Sequence, residues 1–172
     1  MAAGNGIEPL RERIQQQPDV TRFNMRLMDV LDRCCVKTVI TGPEVCMADA
    51  TRAMHRDNAA VILVAGERFQ GILTAGDILR FLVVSASPTD AWQSPVGSAL
   101  REKAATFSSE NSVGLAIETM MAAGTDHLPV AAAQGIVVAS LCRLLQAANA
   151  LLYGEVQNLQ NYIDALHDAP ND

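Results

Sequence analysis

An α/β (α+β) chain built from two β-α-β-β-α units and a long C-terminal helix is the fold class that the sequence predicts. Three observations predict it. A strand-helix-strand-strand-helix order is completed within about 45 residues, it recurs at an offset of 66, and each copy closes on a strand-to-helix corner carrying a hydroxyl residue.

The first copy begins after periodic apolar residues at Met25, Leu27, Met28, Val30 and Leu31, compatible with one or two helical turns from Phe23 onward. Thr38, Val39, Ile40 and Thr41 are β-branched throughout and predict a strand. Gly42-Pro43-Glu44 supplies a turn. Met47, Ala50, Ala53 and Met54 then recur at helical spacing, with Asn58 as a stop, since asparagine tolerates the left-handed conformation. Residues 60–65 are apolar at every position, the pattern of a strand covered on both faces. A hairpin-like turn at 66–68 leads to a strand over 69–74 and a helix over 77–84.

At the corner, Gly71-Ile72-Leu73-Thr74-Ala75-Gly76-Asp77 places Thr74 at an N-cap and Asp77 three residues later, as in a capping box. A capped helix needs no ligand. The same geometry also suits an anion, because a helix N-terminus presents free N–H groups and positive partial charge.

With an offset of 66 the halves align without a gap over 30–79. Val30 falls on Val96, Ala50 on Ala116, Met54 on Met120, Val64 on Val130, Thr74 on Ser140, Ile78 on Leu144 and Leu79 on Leu145. The divisions expected are an arm over 1–22, in which 10–17 reads equally as a short helix or as mobile chain, a first repeat over 23–84 and a linker over 85–94 rich in Ser, Pro and Thr. A second repeat over 95–146 and a C-terminal helix over 147–172 follow.

Composition bounds the function. The 172 residues suffice for one core or for two small modules sharing one. A 49% hydrophobic content and mean hydropathy of +0.14 exclude wholesale disorder. A net charge of −6 argues against nucleic acid or an anionic membrane as partner. The longest apolar run, 59–65, is far too short for a membrane span, and residues 1–18 have no secretory apolar core, so a soluble, cytoplasmic protein is expected. Cys34, Cys35, Cys46 and Cys142 form no Cys-x-x-Cys pair and no metal-ligand spacing, and read as buried or half-buried free thiols; no metal is expected. There is no paired carboxylate or triad, so no catalytic residue is expected and the chain reads as a non-enzyme.

The doubled unit with its apolar-apolar-Thr-x-x-Asp close resembles the cystathionine-β-synthase (CBS) domain, and two in tandem resemble a CBS pair, or Bateman module. The resemblance covers 26–149. It is carried by Ala50, Met54 and 71–77 in the first copy, and by Ala116, Met120, His127-Leu128-Pro129-Val130 and Val137-Val138-Ala139-Ser140 in the second. It implies two repeats packed sheet against sheet with pseudo-twofold symmetry. It also implies clefts that bind an adenosine-containing nucleotide (AMP, ADP, ATP or S-adenosylmethionine) as a regulatory ligand, and a role in regulating an output domain or partner. Such modules usually pair into flat homodimers.

On this resemblance Thr74 takes the phosphate-side hydroxyl position and Asp77 the ribose position, where a carboxylate accepts from a diol. The opposite wall falls at about Ala105, Thr125, Asp126 and His127. Asp126 would repel a phosphate, which argues against a triphosphate there; His127 reads first as a solvent-facing or strand-edge residue and only second as a ligand contact. In the second cleft Ser140 keeps the hydroxyl, but Arg143 replaces the acid and cannot accept from a diol. A surface salt bridge or a filled cleft is expected there, hence one competent site and not two. The alternative to a nucleotide sensor is a ligand-free dimerisation scaffold.

Beyond the second corner, apolar residues at 145, 148, 152, 156, 159, 163 and 166 follow heptad spacing. Gly154 costs roughly 1 kcal/mol of helix propensity and marks a candidate kink. The helix is expected to end at Ala169-Pro170, and to cap its own module, to join subunits, or to lead toward an output domain. No output domain follows, so the output acts on another molecule or has been cut away.

Overall fold

The computed structural model describes residues 25–100 and 105–167; the expectations for 1–22 and for the helix stop at 169–170 lie outside them. Two three-stranded sheets form. In the first, β1 (Thr38–Thr41), β2 (Val61–Ala65) and β3 (Phe69–Thr74) lie in the order β1-β2-β3. In the second, β4 (Phe107–Ser108), β5 (His127–Ala132) and β6 (Gly135–Ser140) lie in the order β4-β5-β6. Each sheet has one parallel pair joined by a crossover helix and one antiparallel hairpin. The helices are α1 (Leu31–Cys34), α2 (Met47–Arg56), α3 (Ala75–Val84), α4 (Pro88–Gln93), α5 (Val113–Ala123) and α6 (Leu141–His167).

The repeat keeps its register through the strands up to Val64 and Val130; beyond them a bulge pairs Ala65 with Phe69, whereas Ala131 pairs with Ile136. Thr41 pairs with Val64 as Phe107 pairs with Val130, and Val61 pairs with Thr74 as His127 pairs with Ser140. The crossover helices end alike: Asn58 and Gly124, 66 residues apart, both adopt the left-handed conformation, with φ of 49° and 61°.

Before the first strand of each unit the offset is 69, not 66, and this corrects the pairing of Val30 with Val96. Leu27 N–H donates to the Asn111 carbonyl and Val96 N–H to that of Val45, both at 2.9 Å. Met28 bonds Ser109 and Gly97 bonds Pro43, again at 2.9 Å. The equivalent residues are therefore Leu27 and Val96, each fully buried in a short 3₁₀ turn.

These bonds are exchanged between units. The turn at Leu27 and α1 belong to the core of the second sheet, where Leu27, Val30, Leu31 and Cys34 pack with Val113, Ile117, Met120 and Leu144. Val96 enters the core of the first sheet, with Met47, Ala50, Ile62, Val64, Leu73 and Ile78. Gly97 sits so close to Pro43 that a Cβ would lie 3.0 Å from the Pro43 carbonyl oxygen. Each unit thus completes the other, and the reciprocity is that of a pseudo-twofold.

The all-apolar β2 is covered on both faces. Ile62 and Val64 point at the helices of their own unit, while Val61 and Leu63 meet Val138 of β6 in a third cluster between the sheets. Residues 35–36 run along β6: Val36 N–H donates to the Val138 carbonyl at 2.9 Å, and Cys35 bridges Ala139.

The segment expected as a linker contains α4. Ser87 caps it by accepting from Asp90 N–H, Pro88 opens it, and Ala91 is buried, with Trp92 packed against the first core. Cys34 is buried, Cys35 and Cys46 are half-buried, and Cys142 is exposed, contrary to the reading of all four as at least half-buried. All four are free thiols, and burial pushes the Cys34 and Cys35 thiols up, away from reactivity.

Beyond Ser140 a single helix, α6, runs from the second corner through the described part of the C-terminal segment, and it continues through Gly154 without a break. It packs on α5 and α1 through Leu144 and Ala148, and from Leu151 onward its described side chains are exposed. The distal half does not cap its own module. Among the described residues no helix is long and apolar enough to cross a membrane.

Candidate functional site

The corner between β3 and α3 forms as a full capping box. Asp77 N–H donates to Thr74 Oγ1 at 3.2 Å, and Thr74 N–H donates back to Asp77 Oδ2 at 3.0 Å. The Thr74 hydroxyl also donates to Oδ2, at 2.7 Å. Arg80, one turn further along α3, donates to Asp77 Oδ1 at 3.0 Å. Sequence reasoning missed Arg80, although its i+3 spacing from an acid on a helix is the signal that finds such pairs. Burial pushes the Asp77 carboxyl up, but the bonds from Thr74 and the Arg80 guanidinium outweigh it and hold the group below the usual carboxylate range.

A carboxylate has about four acceptor positions, and three are occupied here from within the chain. One position remains on Oδ1, and Asp77 lines a cavity of about 230 Å³ together with Arg80, Phe81, Val84, Ser98, Ala99 and Leu100. Phe81 and Val84 come from α3, whereas residues 98–100 come from the exchanged turn, so this wall exists because of the exchange. A larger concavity of about 570 Å³, lined by Pro43, Glu44, Arg68, Phe69 and Gln70, lies at the β2–β3 turn, the opposite end of the sheet from Asp77. It holds no predicted site residue.

The residues expected on the opposite wall do not line the 230 Å³ cavity. Ala105 is exposed, two residues before β4. The Thr125 hydroxyl donates to the His127 carbonyl at 3.0 Å and so is used within its own turn. Asp126 is exposed, and its carbonyl accepts from Leu141 N–H. His127 is half-buried at the start of β5 and lies within electrostatic reach of both Asp126 and Asp77. Of these four, His127 alone is tied to Asp77, through charge and not through contact.

Burial holds the His127 imidazole below its ordinary value of 6.5, and the two carboxylates only partly oppose this. Its folded value is depressed, so the unfolded chain takes up the proton first as the pH falls. The associated stability is full above about pH 6.5 and declines on acidification below it. The expected result is a urea midpoint that falls between pH 7.5 and 5.5, with a smaller fall in His127→Gln. An unchanged slope in that variant would remove His127 as the cause.

At the second corner Arg143 donates to the Cys35 carbonyl, and the Cys34 thiol donates to the Arg143 carbonyl at 3.6 Å. Among the described residues Arg143 makes no ion pair, in place of the expected salt bridge; its guanidinium holds the segment running along β6. Ser140 ends β6 opposite His127. The two corners thus share a backbone path and differ in charge and in use.

No known family model matches this chain, and no curated protein does. Solved structures do match. The fold is that of a tandem CBS-domain pair: two β-α-β-β-α units facing each other through their sheets. It is similar to a CBS-domain-containing protein from Agrobacterium tumefaciens, with a TM-score of 0.60 and 20% identity over 71% of this chain and 97% of that one. It is also similar to CBSX2, determined in complex with AMP, with a TM-score of 0.58 and 15% identity over 74% of this chain and 98% of that one. A Methanocaldococcus jannaschii protein described as an archaeal homologue of g-AMPK matches with a TM-score of 0.60 and 16% identity, over 82% of this chain and 51% of that one.

Proposed function

We propose that this chain is a regulatory ligand-sensing module that binds an adenosine-containing nucleotide beside Asp77 and passes the change to a partner or output domain. The observation that carries this reading is that Asp77, with one acceptor position unused by its own corner, lines a cavity shared by α3 and the exchanged turn. A ligand there touches α3 and the exchanged turn at once, and that turn leads directly into the second unit, so binding acts where the chain passes from one unit to the other. The complex of CBSX2 with AMP supports adenine nucleotides and not S-adenosylmethionine, and Asp126 disfavours the triphosphate. At the second corner Arg143, which holds Cys35, stands in place of the carboxylate and cannot accept from a diol.

A ligand-free interaction scaffold is the second reading, favoured by the internal occupation of three Asp77 acceptor positions. Thermal unfolding with AMP, ADP and ATP separates them. A nucleotide at 100 times its Kd adds about 2.7 kcal/mol to stability, and AMP is expected to give the largest rise. A flat response to all three leaves the scaffold.

A further inference from the structure

The distal half of α6 exposes an apolar seam whose residue choices specify its occupant. Ala148 is buried against the module and so leaves the seam, and the exposed Asn149 takes its place. The line then runs Leu145, Asn149, Leu152, Val156, Leu159, Ile163, Leu166, alternating steps of four and three without interruption. In heptad terms leucine occupies every d position, and the a positions hold Asn149, Val156 and Ile163. Val156, Leu159 and Ile163 are 50, 62 and 51% exposed. Gly154 falls at the position farthest from the seam.

We propose that this seam pairs with the same helix of a second copy, as a parallel two-stranded coiled coil in register. β-branched residues at a with leucine at d favour two parallel strands, and a single asparagine at a fixes register and strand number. An asparagine amide carries both donor and acceptor, so Asn149 satisfies its counterpart across a twofold. The flanks agree. Residues 151–167 contain no Lys or Arg, so an anionic lipid surface finds no basic face. The positions beside the seam are Gln146, Tyr153 and Gln160 on one flank and Ala148, Glu155 and Tyr162 on the other; the one charge among them, Glu155, faces Gln160 of the second copy in a parallel pair, so the copies meet no like-charge repulsion and no charge pattern selects a different chain. A helix of this length with Gly154, Asn158 and Asn161 in its exposed part also has little stability of its own in water, so its persistence requires the seam to be covered. This pairing is independent of any nucleotide.

Sedimentation equilibrium of the full chain, with helical circular dichroism over the same concentrations, tests it. The wild type is expected to be a dimer whose helicity rises with association. Leu159→Glu with Ile163→Glu, both exposed, should weaken dimerisation at least tenfold and leave the Trp92 unfolding transition in place. Asn149→Val should tighten association but admit trimers or larger species. A monomeric wild type overturns the proposal. So does a double variant that dimerises as tightly as wild type, and so does an Asn149→Val variant that stays strictly dimeric with unchanged affinity.

Discussion

Replacing Leu27 with alanine is expected to remove about 2–5 kcal/mol of stability, the range for a large-to-small change at a site that cannot collapse. Leu27 is fully buried among residues of the second unit, although it precedes the first strand of the first. The loss should therefore be felt throughout. Trp92 is the only tryptophan and packs on the first core, so its fluorescence reports the unit that Leu27 does not enter. Exchange of turns ties the two cores into one cooperative transition, and in urea the Trp92 midpoint should move as far as the midpoint by circular dichroism. A Trp92 midpoint that stays in place while the dichroism shifts would show two units unfolding separately.

Asp77→Ala is expected to weaken adenine-nucleotide binding by about 1–3 kcal/mol, through lost hydrogen bonds to a charged acceptor, or roughly five- to 150-fold in Kd. The same change removes the capping box and the Arg80 pair, at a cost of about 1 kcal/mol in the free protein. Calorimetric titration separates the two effects, since affinity is read on folded protein. Arg143→Ala should leave binding untouched; an equal loss there would mean that the wrong cleft had been assigned. The pH dependence carries a further sign. Asp77 is held below 3.8, so its contribution is present above that value and lost as the pH falls through the depressed one, a limb that Asp77→Ala should flatten.

The strands and their register were legible because a period of two with β-branched residues leaves little freedom: a one-residue slip would turn Ile62 and Val64 away from their helices. The turns before the strands were not. Leu27, Val30 and Leu31 are apolar at helical spacing, so sliding by one turn preserves the pattern, and only the bonds to 109–113 reveal the true offset. In 85–94 the Ser-Pro-Thr run resembles a linker, yet Ser87 followed by Pro88 and Asp90 is also a helix start. At the candidate site the capping corner was readable from local spacing, whereas Ser98, Ala99 and Leu100 were not, because the chain exchange that brings them there is non-local. The seam of α6 was legible in period but not in phase, since nothing local tells Ala148 from Asn149 until the module buries one of them.

The exchange also sets an order on synthesis. Residues 27–34 leave the ribosome before their partners at Val113, Ile117, Met120 and Leu144, which follow about 80 to 117 residues later. At about 5–20 residues per second the delay is on the order of ten seconds. The helix-covered face of the first sheet, by contrast, is completed once residues 96–100 emerge. The nascent chain therefore closes its first unit while still presenting the apolar turn that the second will need, and that turn serves as the ready-made surface on which the second unit condenses.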